Sequence, residues 1–100
     1  MGRIEVFKQM LESNPADTNV LFGLAKEYEK AGADDDLIQT LTRYLAAADD
    51  EGNAYGMLAR AYEKVGKQDE AHEVYERGIK AAQAHGHPSM AEEYRERISE

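Results

Sequence analysis

Apolar residues recur at helical spacing along the chain. Leu21, Leu24, Ala25 and Tyr28 stand at i, i+3, i+4 and i+7, and Tyr55, Leu58, Ala59 and Tyr62 repeat those intervals. Each set lies on one face of a helix and leaves the opposite face polar. Leu37, Leu41, Tyr44 and Leu45 form another stripe, and Ala71, Val74, Tyr75, Gly78 and Ile79 form one of the same kind. Gly32 and Gly66 follow the first helix of each pair, where glycine takes the left-handed position without steric cost. Asp34 is expected to cap the helix that comes next. The pattern predicts helices at 3–13, 18–31, 35–48, 52–65, 68–85 and 89–99 and no strand.

The chain repeats itself. Displaced by 34 residues, Thr18–Glu51 aligns with Gly52–His85, and 11 of the 34 pairs are identical, among them Asn19/Asn53, Leu24/Leu58, Tyr28/Tyr62, Gly32/Gly66 and Arg43/Arg77. A step of 34 residues in the other direction puts Phe7, Met10 and Leu11 in phase with Leu41, Tyr44 and Leu45. Residues 3–15 therefore read as the second half of a further repeat.

The arrangement Tyr55, Leu58-Ala59, Tyr62, Gly66, Ala71, Tyr75, with its looser counterpart Leu21, Leu24-Ala25, Tyr28, Gly32, Leu37, Leu41, resembles the tetratricopeptide repeat. Two departures are local: Asp49 and Gln83 stand where that family closes a repeat with proline, and Leu37 replaces a small residue. The resemblance implies an all-α fold of antiparallel helix–turn–helix repeats, stacked as a short right-handed solenoid with a C-terminal capping helix. A single domain over 1–100 is expected, made of a half repeat at 3–15, repeats at 18–51 and 52–85, and the capping helix at 88–99. In that last segment Pro88 suits a first turn, Ser89-x-x-Glu92 fits a capping box, and Met90, Ala91, Tyr94 and Ile98 form one apolar stripe. Such a helix covers a solenoid end that would otherwise expose core-like surface.

Charge and composition narrow the function. Twelve Lys and Arg against 20 Asp and Glu give a formal net charge of −8, which opposes nucleic-acid binding because that affinity comes from phosphate neutralisation. No apolar run reaches membrane-spanning length and no signal peptide is evident, so a soluble, cytoplasmic protein without membrane partners is expected. The absence of cysteine removes disulfides, thiol nucleophiles and thiolate metal sites. His85 and His87 flank Gly86 in a turn, but two ligands without a spaced third make a poor metal site. His72 and Glu76 read as a surface pair, and Ser13, Ser89 and Ser99 sit at helix ends. The acidic runs Asp34–Asp36 and Asp49–Glu51 lack calcium-loop spacing and suit helix starts. No catalytic residue, cofactor site or metal site is assigned, and no enzymatic activity is expected.

In the tetratricopeptide family the other face of the first helix in each pair lines a concave groove for partner peptides. Here that strip would carry Asn19, Phe22, Lys26, Glu29 and Lys30, then Asn53, Gly56, Arg60, Glu63 and Lys64. Four bases stand against two acids on a strongly acidic chain. Lys26 and Arg60 occupy equivalent places, roughly 10 Å apart for usual helix spacing, which suits an acidic peptide. The strip lacks the lysine that carboxylate-clamping members of the family use, since Phe22 and Gly56 stand there. The resulting expectation is a protein-interaction module that binds a peptide through Asn19, Phe22, Lys26, Lys30, Asn53, Arg60 and Lys64. The alternative is an assembly unit whose open N-terminal helix pairs with a copy of itself or with upstream repeats.

Overall fold

The computed structural model describes residues 2–99; residues 1 and 100, the outer limits of the expected domain, lie outside the described residues. Six helices follow one another: α1 (Arg3–Ser13), α2 (Thr18–Ala31), α3 (Asp34–Ala47), α4 (Asn53–Lys64), α5 (Gln68–Ala84) and α6 (Pro88–Ser99). The fold is all-α, with no strand among the described residues. Two compact units divide at Ala48/Asp49.

In the first unit α2 packs against both α1 and α3. Its stripe is the one read from the sequence: Leu21, Leu24, Ala25 and Tyr28 are buried, as are Leu11 of α1 and Leu37 and Leu41 of α3. Phe22 meets Tyr44 with ring centroids 5.2 Å apart, a tilted pair within the preferred aromatic range. The Asp17 carboxylate accepts the Val20 N–H at 3.2 Å and so satisfies one of the free donors at the start of α2. At the other end Gly32 adopts φ +69°, and the Ala33 N–H donates back to the Tyr28 carbonyl. This closes α2 and sends α3 back along it.

In the second unit α5 packs against α4 and α6. Ala71, Val74 and Tyr75 of α5, Leu58 and Ala59 of α4, and Ala91 and Tyr94 of α6 are buried. Gly66 takes φ +80°, and a Cβ added there would meet nothing within 4 Å. Its role is thus conformational alone. Gly66→Val is expected to lower the urea midpoint clearly, whereas exposed Lys67→Ala should leave it nearly unchanged. Equal midpoints would contradict this turn geometry.

Two capping expectations are corrected. Asp34 lies inside the first turn of α3, after Ala33, which makes no side-chain cap; Asp34, Asp35 and Asp36 instead place negative charge at the positive end of the helix dipole. Ser89 is likewise inside α6, because Pro88, having no N–H to satisfy, opens the helix one residue earlier. The His87 carbonyl then receives the Ala91 N–H at 3.2 Å.

Candidate interaction surface

On α2 the residues of the expected strip divide between packing and solvent. Asn19, Lys26, Glu29 and Lys30 are exposed, and Phe22 is half-buried through its contact with Tyr44. The Lys26 ammonium lies 5.7 Å from the centre of the Phe22 ring, close enough for a cation–π attraction that keeps it over an apolar base. Lys30 is 3.6 Å from Glu27, one helical turn away. In solvent such a pair contributes little and leaves the cation available.

On α4 the strip is partly covered. Asn53, Arg60 and Lys64 are exposed, but Gly56 is buried beneath the Tyr94 ring of α6. Glu63 is occupied too: its carboxylate accepts the Tyr75 hydroxyl at 3.2 Å and the Arg97 guanidinium at 3.0 Å. The expectation that Gly56 and Glu63 lie open in a groove is therefore corrected within this unit. The reason is steric. Glycine at 56 lets α6 approach so closely that an added Cβ would collide with the Tyr94 hydroxyl, and Gly78 of α5 accommodates the same ring, with a built Cβ 2.9 Å from it. The Tyr94 hydroxyl donates to the Gly52 carbonyl at 2.8 Å. Burial pushes its phenol above the ordinary tyrosine value, with the nearby Arg60 charge pulling the other way.

The acidic run before α4 has two functions that the sequence did not reveal. Asp50 accepts the N–H groups of Gly52 and Ala54 at 2.8 and 3.0 Å and so caps α4. Its neighbours reach the turn between α5 and α6: Asp49 is 3.3 Å from His85 Nε2, and Glu51 is 2.6 Å from His87 Nε2. The equal spacing of Asp49/Glu51 and His85/His87 was the available signal. Among the described residues no three His, Asp or Glu side chains gather as a metal site. The hydrogen bond and charge of His87 hold the Glu51 carboxyl below its ordinary value. A lowered carboxyl pKa stabilises the fold fully above the ordinary value, and that contribution is lost as pH falls through the lowered one. His87→Ala should therefore return the Glu51 titration to the ordinary range, read by carboxyl-carbon NMR. An unmoved titration would rule this pairing out. His72 and Glu76 form the exposed pair expected, at 2.9 Å.

These two repeated pairs of helices, each closed by a left-handed glycine, have counterparts among known proteins. Residues 54–89 match the tetratricopeptide repeat family. The tetratricopeptide segment covers α4 and α5 and overlaps the repeat expected at 52–85. A solved structure described as MamA protein is similar over 95% of this chain, with a TM-score of 0.74 and 21% identity. The chain spans 60% of that protein's length. A second structure, described as MamA, has a TM-score of 0.55 and 20% identity over 91% of this chain and 81% of its own. At such identity the likeness extends to the fold. No curated protein sequence matches the chain. No helix among the described residues is long and apolar enough to cross a membrane.

Proposed function

We propose that the chain is a non-catalytic protein–protein interaction module, one domain assembled from the half repeat, two repeats and capping helix. The tetratricopeptide match and the shared helical fold support an interaction module in general terms. The finer reading is an acidic partner peptide held by Asn19, Phe22, Lys26 and Lys30 on α2 and by Asn53, Arg60 and Lys64 on α4. The observation that carries it is charge placement: on a chain of net charge −8, both strips present exposed cations one helical turn apart, Lys26 with Lys30 and Arg60 with Lys64. Like charges at that spacing cost a lone helix a few tenths of a kcal/mol. Lys30 and Lys64 sit in last turns, where the helix dipole favours a cation, but Lys26 and Arg60 do not. Their presence is accounted for by an anionic ligand. Such a ligand gains steering and specificity from these charges, and its binding weakens with added salt.

A peptide array screened with the wild type and with Lys26→Glu/Arg60→Glu tests the reading, with circular dichroism as the folding control. Acidic peptides should bind the wild type and be lost by the variant at unchanged helicity. A preference for neutral or basic peptides, or equal binding by the variant, refutes it.

A further inference from the structure

The 34-residue phase makes α1, α3 and α5 equivalent, so their equivalent positions can be compared one by one. Val6, Thr40 and Val74 share one position, and Met10, Tyr44 and Gly78 share another. In α3 and α5 these positions are covered: the helix that precedes each in the chain packs there, joined at Gly78 by the Tyr94 ring of α6. Tyr44 lies against Phe22 of α2, and a Cβ at Gly78 would come within 2.8 Å of Tyr55 Cβ of α4. Thr40 and Val74 are each only 4% exposed. In α1 the same two positions are open, with Val6 42% and Met10 48% exposed, although Leu11 on the same helix is buried. Val6 and Met10 stand four residues apart and so form one continuous apolar strip.

We propose that the Val6–Met10 face of α1 is a docking site for an amphipathic helix of a partner protein, built like α2 and α4 with an aromatic side chain to lie over Met10. The two covered counterparts show what occupies this position: an antiparallel helix that brings Phe22 in one case and Tyr55 in the other. Charge sets the direction. Arg3 stands where Leu37 and Ala71 are buried, and its side chain is 73% exposed, held only loosely by Glu27 at 3.9 Å. An occupant running antiparallel to α1 places its C-terminal end beside Arg3, so that end carries a carboxylate. The sequences of α2 and α4 have this composition, with Glu29 and Glu63 in their last turns. The Val6–Met10 face belongs to α1 and shares no residue with the α2 and α4 strips, so its occupant is independent of their ligand.

The probe is a labelled synthetic peptide of residues 17–32, which carries its own Asp17 cap, titrated against the full chain by fluorescence anisotropy. Saturable binding is expected, weakened about tenfold or more by Met10→Glu in the protein and severalfold by Phe22→Ala in the peptide. Glu12→Gln, at an exposed position on another side of α1, should bind like the wild type, and so should Lys26→Glu/Arg60→Glu, which separates this site from the acidic-peptide strips. Absence of binding, equal binding by Met10→Glu, or equal loss with Glu12→Gln overturns the proposal. So does light scattering that shows a wild-type dimer dispersed by Met10→Glu, because the occupant would then be a second copy of this chain.

Discussion

Tyr94→Ala is expected to destabilise the second unit by about 3–5 kcal/mol, the usual cost of deleting a buried aromatic side chain. The ring is 4% exposed, lies 5.5 Å from the Tyr75 ring, and fills the space that Gly56 and Gly78 leave open. Alanine would leave a cavity that neither glycine can reach across. Against a typical stability of about 5–15 kcal/mol, such a loss should be evident in urea unfolding and in faster amide exchange across α4, α5 and α6. Tyr94→Phe isolates the hydroxyl and should cost only about 1 kcal/mol, the net value of one hydrogen bond. Comparable losses for the two variants would mean that the bond to Gly52, and not the ring, secures α6.

In the first unit the largest effect is expected from Leu21→Ala. Leu21 and Leu41 are its fully enclosed large side chains, each with no exposed surface, and truncating such a leucine costs about 2–5 kcal/mol depending on how far the site collapses. Val6→Ala, at an exposed position of α1, is the matched control and should remain within about 0.5 kcal/mol of the wild type. Urea midpoints measure both. A Leu21→Ala loss no greater than that of Val6→Ala would contradict the core described for α2.

The helices were legible because their apolar intervals and terminal glycines are local signals. Leu21, Leu24, Ala25 and Tyr28 are buried as their spacing requires, and Gly32 and Gly66 have positive φ. Helix starts were less legible, since a cap depends on which residue leaves the helical conformation first. Asp34 and Ser89 have the right chemistry but are the first and second residues of their helices, whereas Asp17 and Asp50 perform the capping. The candidate surface was legible as a row of exposed cations on α2 and α4. What periodicity could not convey was the path of α6, which breaks the 34-residue phase. Its covering of Gly56 and its capture of Glu63 follow from the size of two glycines and the reach of Tyr94 and Arg97, and neither is a property of spacing. Gly56, in the middle of a helix, was the residue that signalled a close approach.

The same two glycines bear on the order in which the protein is made. Glycine within a helix costs about 1 kcal/mol relative to alanine, so α4 and α5 are each weakened by the residue that later receives Tyr94. Residue 94 leaves the ribosome after both helices, and until then their glycines contribute flexibility without the packing that offsets it. In the first unit, which ends at Ala48, the mid-helix glycine Gly23 faces Phe7, a residue that has already been made. Folding of the nascent chain should accordingly advance in two stages, with the second delayed until α6 has emerged and closes over its neighbours.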